Sequence, residues 1–372
     1  MSKQAALYAT RQTSLDGLRG IAALVVVMHH LLLTLPWFAD RVGLGSLGRK
    51  GHFTYSIHNI FEYSPIHILY GGTEAVMIFF VLSGYVLVNA VNKDSIATYV
   101  RFRLLRLYVP ILIAVTFGAG LVLLFKHKTL YGGSWWLNSH AIKFTPASYF
   151  KNLWVVEGND WLDSSLWTMR YEILFSLAVL VLAKFTFKKS FTIFIQAILS
   201  LCGLIYLGMH YSLDLLGWLP VFFAGSALHW LPMGKIKAYG LRLVVGVVTL
   251  FLPWCIAGFG YSLSSIEDRI LMTIGAVLIV DVCRQPGNRT SRLLSTRLPR
   301  LAGRYSYSLY LIHAPVLTTV WLVMGSPAGH IGWLLRCVIA FASIAIGATV
   351  VYQLGEKPSQ KWIHRQNAKI DK

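Results

Sequence analysis

A chain of 372 residues that is 56% hydrophobic and only 13% charged, with no long polar tract, does not suit a water-soluble fold. Its net charge of +19 could suggest a nucleic-acid partner, but the basic residues are dispersed among short segments between apolar runs, so no nucleic acid is expected. That pattern is the one produced by basic loops flanking membrane spans.

Apolar runs recur down the chain, and each is long enough to cross roughly 30 Å of hydrocarbon as about 20 helical residues. The expected spans are 15–35, 71–91, 107–125, 166–183, 190–209, 214–231, 239–257, 269–283, 305–324 and 331–353. The fold class is therefore all-α, a polytopic helix bundle of about ten transmembrane helices embedded in a lipid bilayer. The division expected is one domain over 1–372 with no soluble appendage. The first run lacks a small-residue cleavage site and is read as a retained helix.

Orientation follows from lysine and arginine, which favour cytoplasmic loops. Placing the N-terminus inside gathers Lys3, Arg11 and Arg19, then Lys93, Arg101, Arg103 and Arg106, then Lys184, Lys188 and Lys189, then Lys235, Lys237 and Arg242 on one side. The arginines from Arg284 to Arg304 and the tail bases Lys357, Lys361, Arg365, Lys369 and Lys372 join them. Asp40, Glu62, Glu157, Asp160, Asp163, Glu267 and Asp268 fall opposite, so both termini are expected in the cytoplasm.

The first span carries groups that lipid does not favour. In "LDGLRGIAALVVVMHH" (15–30) an arginine and two histidines share one apolar helix, and an ionisable side chain kept there is a functional candidate. At 100° and 1.5 Å per residue, Arg19 and His30 fall within about 20° of one face and roughly 16 Å apart in depth, whereas His29 points about 80° away. A ligand touching both Arg19 and His30 would be long, anionic at the cytoplasmic end and reactive deep in the membrane, as an acyl-coenzyme A is. Arg19 read alone is equally a topological anchor, and His30 alone a satisfied core histidine.

Further along, Glu74 opens the second span, where it could face water or contact substrate, and Ser83 and Gly84 suit close helix packing. Arg103 and Arg106 are three apart and so neighbours on one helical face, fit for phosphate or for the positive-inside rule alone. Trp135, Trp136, Trp154 and Trp161 crowd the outer loop, as interfacial aromatics do, with stacking on sugar rings as the second reading. Glu172 lies about six residues into the fourth span and needs a partner there, with Arg170, His30 or a substrate hydroxyl as candidates. Tyr310 and His313 share a face of the ninth span, as a second base, a substrate contact or a packed pair. The four cysteines, Cys202, Cys255, Cys283 and Cys337, are too scattered for a disulfide or a metal, and no metal site is expected.

These segments together resemble the membrane acyltransferase-3 family. "LDGLRGIAALVVVMHH" is similar to its first-helix signature, "FFVLSGYVL" (79–87) to its second-helix motif and "RFRLLRLYVP" (101–110) to its arginine pair. "SLWTMRYEILF" (165–175) resembles the fourth-helix motif and "YSYSLYLIHAPV" (305–316) the late tyrosine and histidine motif. The resemblance implies transfer of an acyl group, commonly acetyl, from cytoplasmic acyl-CoA to a hydroxyl of a cell-surface or exported carbohydrate, in a bacterial inner membrane. It implies His30 and Glu172 as catalytic residues, Arg19, Arg103 and Arg106 as acyl-CoA ligands, and Tyr310 and His313 as substrate or supporting residues; Glu74 joins these last from its position alone.

One departure stands out. Many members carry two adjacent acids and a glutamine where this chain reads Tyr171, Glu172, Ile173 and Leu174. The reading from residues leaves two rivals: a proton-coupled transporter using Arg19, His30, Glu172 and His313, and a non-catalytic polysaccharide export accessory. Against the transporter stand the absence of a visible pseudo-repeat with interrupted helices and the clustering of arginines at one surface. The acyl group, the acceptor, the face of transfer and the choice between direct transfer and an acyl-histidine stay open at this stage, as does oligomeric state.

Overall fold

A computed structural model describes residues 3–42, 63–91, 95–155, 162–186, 214–229, 237–258, 265–326 and 329–370. Among these every regular element is helical. In chain order they are α1 (Lys3–Leu32), α2 (Pro36–Val42), a 3-10 turn (Pro65–Leu69), α3 (Gly72–Val91), α4 (Ile96–Phe125), α5 (Trp135–Ser139), α6 (Pro146–Trp154) and α7 (Leu166–Thr186). There follow α8 (Asp214–Ala227), α9 (Tyr239–Gly258), α10 (Ser265–Arg284), α11 (Arg289–Leu294), α12 (Arg297–Met324), α13 (Gly329–Val351), a π-helical turn (Tyr352–Glu356) and α14 (Lys357–Ile370).

Five stretches among the described residues are long and apolar enough to cross a bilayer: Thr13–Leu32, Ile96–Phe125, Tyr239–Ala257, Arg297–Met324 and Gly329–Gln366. Gly72–Val88 is a shorter apolar helix. The described residues are thus all-helical in their regular structure and the chain is a multi-pass membrane protein, as backbone polar groups in hydrocarbon demand. The expected span at 190–209 lies outside the described residues. Three helices begin well before the expected spans: α1 at Lys3, α4 at Ile96 and α12 at Arg297. Pro110, Pro253 and Pro315 sit inside α4, α9 and α12. Each removes a backbone donor, a loss that neighbouring helices and local adjustment make tolerable in spanning segments.

The described chain forms two compact units, divided within α1, α4, α7 and α12. Unit 1 comprises Met1–Val26, Gly45–Tyr99 and Leu174–Arg304. In it α3 packs on α8 and α10, and α9 on α10. Lipid tails are as apolar as leucine, so membrane helices associate through close backbone approach at small residues. A Cβ on Gly84 would collide with the Phe222 carbonyl, and one on Gly225 with that of Val81. Ser226 Oγ donates to the Gly84 carbonyl at 3.2 Å across the same seam. Phe80 fills the centre, edge-on to Phe175 at 6.2 Å and to Trp218 at 5.6 Å, an arrangement that ring quadrupoles favour.

Unit 2 comprises Val27–Leu44, Val100–Ile173 and Tyr305–Lys372. Its core is the half of α12 from Ser306 to Leu322, buried along most of its length. The π-helical turn brings Gly355 against Pro110 of α4 and turns the buried Glu356 toward Ser308, whose Oγ donates to Glu356 Oε2 at 2.8 Å. Tyr307 OH donates to the Leu107 carbonyl at 2.9 Å. α12, α4 and the last helices are thereby tied together by polar bonds as well as by packing.

Candidate active site

The site is built in unit 2 around the end of α1. His30 lies in the last turn of α1, and its ring meets that of His313 of α12 with centroids 4.8 Å apart and His313 Nε2 3.3 Å from His30 Nδ1. His313 is fully buried, and its Nδ1 lies 2.6 Å from the Tyr310 carbonyl. His29 stands edge-on to His30 at 5.5 Å and to Phe38 at 5.8 Å.

The segment after α4 supplies the remaining wall, and it is ordered by its own side chains. Asn138 accepts from the Leu130 backbone N–H at 2.7 Å and donates back to the Leu130 carbonyl at 3.1 Å. Ser134 caps α5 by accepting from the Leu137 N–H; a cap satisfies one of the donors that a helix start leaves open. The short helix so held places Trp136, only 3% exposed, with its ring 5.4 Å from His30 and 4.7 Å from His140. His140 Nδ1 donates to the Trp136 carbonyl at 2.7 Å. His127, at the start of the same segment, bonds Thr319 Oγ1 of α12 through Nε2 at 3.0 Å.

Outside the spans the electrostatics are those of neutral imidazoles. Burial pushes His140 down to about 4, assisted by the neighbouring His30 and His127 and opposed by its bond to the Trp136 carbonyl. Burial likewise lowers His127. Asp163, just before α7, accepts from the Ser165 N–H and hydroxyl at 3.0 and 2.6 Å. Burial nevertheless drives it up to about 7, because removing a carboxylate from water disfavours its charge.

Glu172 and Arg103 form an ion pair linking α7 to α4, both about 12% exposed. The carboxylate expected beside the histidine base is thus joined to an arginine expected on the donor, a pairing absent from the candidate partners read in sequence. Arg106, on the next turn, is exposed. Tyr310 OH shares a 2.7 Å hydrogen bond with Thr168 Oγ1 of α7, and its ring lies 5.5 Å from that of His313.

Arg19 and Glu74 belong to unit 1. Arg19 pairs with Asp16 at 3.5 Å, and backbone crowding explains the flanking glycines: a Cβ on Gly20 would strike Gly303, and one on Gly303 the Asp16 carbonyl. Glu74 does not face water. It is 1% exposed, with Oε1 3.5 Å from Nε2 of the buried His67, whose ring stacks on Trp254 at 4.3 Å.

Sequence reasoning missed three parts of the site. Trp136 lines the histidine cluster and is no interfacial ring, unlike Trp154, which is 62% exposed. His140 and His127 join from a loop whose only sequence signal was a set of histidines in an apolar chain. Trp161 lies outside the described residues.

A multi-pass helical protein with a part-buried imidazole cluster at the end of its first span is the class so defined. The model of an acyltransferase family, described as "Acyltransferase domain", matches residues 12–353, and the chain belongs to that family. Among its relatives, O-acetyltransferase PaAT-1 of Phomopsis amygdali is 26% identical over 84% of this chain and 73% of its own. The putative peptidoglycan O-acetyltransferase YrhL of Bacillus subtilis (strain 168) is 25% identical over 92% of this chain and 54% of its own. Acyltransferase MdmB of Streptomyces mycarofaciens is 34% identical over 34% of this chain and 28% of its own. The chain spans about half the length of YrhL and about a quarter of MdmB. No solved structure matches it.

Proposed function

We propose that this protein is an integral-membrane O-acyltransferase of a bacterial inner membrane, moving an acyl group from cytoplasmic acyl-CoA to a hydroxyl of a cell-surface or exported polysaccharide. The names of relatives favour acetyl as the group and a glycan as the acceptor. In unit 2, Arg103 and Arg106 hold the donor phosphates. A guanidinium presents a planar fork of donors that matches phosphate better than an ammonium does. Arg103 contributes as part of its pair with Glu172, so Glu172 orients that guanidinium.

The observation that carries the reading is the His30 imidazole, set against His313 and Trp136 at the end of a spanning helix. As general base His30 takes the acceptor hydroxyl proton while the hydroxyl oxygen adds to the thioester carbonyl carbon. The C–S bond then breaks, its electron pair leaves on sulfur, and the proton passes from the imidazolium to the thiolate. An imidazole is suited to this because it titrates near neutral pH.

The test compares envelopes of cells with and without the gene, measuring carboxylic acid released by mild alkali and the corresponding mass loss on glycans. The gene restores one acyl mass per modified unit, and His30→Ala, expressed and inserted at the same level, abolishes it. Equal release from cells carrying His30→Ala and wild type removes His30 from the chemistry, and equal release with and without the gene removes the reading.

A further inference from the structure

We infer that His313 is a positioning residue that fixes the tautomer of His30 and thereby selects Nε2 as the basic nitrogen. The inference rests on the acyltransferase reading for its consequence, but its first step is geometric.

A backbone carbonyl can only accept a hydrogen bond, so the 2.6 Å contact from His313 Nδ1 to the Tyr310 carbonyl puts the His313 proton on Nδ1. A neutral imidazole with its proton on Nδ1 carries its lone pair on Nε2. That lone pair lies 3.3 Å from His30 Nδ1, and a hydrogen bond there requires His30 to be the donor. His30 therefore holds its own proton on Nδ1, and its lone pair sits on Nε2, at the far side of the ring.

The arrangement has three layers, a carbonyl, an orienting ring and a working base, the logic by which a third group directs a base. It does not pass protons onward, since the chain ends on a carbonyl that has no proton to exchange. His313 acts when His30 becomes an imidazolium: the new charge is stabilised by donation from Nδ1 to a lone pair already aimed at it. The elements around the pair hold it in place. Pro315 follows His313 by two positions and packs its ring against Gly118 of α4. Trp136 covers His30 from α5, and Tyr310 is held by Thr168.

The side-chain nitrogen spectrum of the full chain, labelled at its 12 histidines and held in phospholipid nanodiscs, reads the tautomer directly. The His30 signals are assigned by their loss in His30→Gln. Wild type shows His30 protonated at Nδ1 and unprotonated at Nε2. In His313→Leu the acceptor is gone, the His30 proton redistributes toward Nε2, and alkali-released acetate from cell envelopes falls on the order of 100-fold, the scale of general-base catalysis. Affinity for acetyl-CoA stays unchanged in the same variant. In His313→Gln the side-chain carbonyl oxygen again accepts from His30 Nδ1, restoring the tautomer and most of the lost transfer.

A wild-type His30 protonated at Nε2 overturns the inference without any variant. So does a His313→Leu protein whose His30 spectrum is unchanged, or a glutamine variant as inactive as the leucine one. Absence of acetate from wild-type envelopes would count against the acyltransferase reading, and the two failures are distinguishable because the wild-type spectrum alone decides the pairing.

Discussion

At the scale of single residues, burial keeps the loop imidazoles His127 and His140 neutral, and His140 gives that a measurable sign. Its folded value is about 4 against an ordinary 6.5, so between those pH values the unfolded chain binds a proton that the folded chain does not. Stability from this residue is present in full above about 6.5 and is lost as pH falls toward about 4, by at most about 3 kcal/mol. Asp163, raised to about 7, acts in the opposite sense, so the clean observable is a difference between proteins. The fall in unfolding temperature between pH 7.5 and pH 5 in detergent should be smaller for His140→Gln than for wild type. An identical fall would mean that His140 is already charged or already wet. That Arg19 and His30 lie on one helix was legible because an apolar run sets the helix, whereas the approach of Trp136 and His140 to His30 was not. They stand more than 100 residues away in sequence, and a tryptophan in an outer loop is explained as well by the membrane interface.

Helices and their junctions form the next scale, and here the Arg103–Glu172 pair ties α4 to α7. Sequence spacing placed each residue on its helix but gave no means of pairing them, because the contact is set by how two helices dock. The starts of helices were misjudged for a related reason. An apolar window stops at the first arginines, but arginine is a good helix former, so α4 runs back to Ile96 and α12 to Arg297. Removing one member of a buried ion pair leaves an uncompensated charge and costs about 3–5 kcal/mol, whereas replacing both with apolar residues of similar volume is often neutral. Glu172→Leu alone should therefore lower the unfolding temperature in detergent, and Arg103→Met with Glu172→Leu should recover most of it. If Arg103 also holds the donor, the double variant recovers stability without recovering acetyl-CoA binding. Recovery of both would assign the pair to architecture alone.

For the whole molecule, the helical class and the membrane location followed from composition, since a bilayer admits few alternatives. Division into two units did not, because four of its boundaries fall within the continuous helices α1, α4, α7 and α12, where no loop marks a break. The sidedness proposed from charge remains the property most open to direct measurement. If basic segments are held in the cytoplasm, the arginine-rich stretch around α11 and the start of α12 lies inside with the C-terminal α14, and the loop before α5 lies outside. Tyr131 in that loop is fully exposed, and Arg300 and Arg365 are exposed on their helices, so a cysteine at each tolerates labelling with little strain. In a background lacking the four natural cysteines, a membrane-impermeant maleimide should modify Tyr131→Cys in intact cells, and Arg300→Cys and Arg365→Cys only after permeabilisation. The reverse pattern would invert the protein in the membrane and place the donor arginines on the wrong side for cytoplasmic coenzyme A. Equal labelling of positions 131 and 300 in intact cells would mean that the spans between them are even in number rather than the five expected, and the ten-helix count would fail with it.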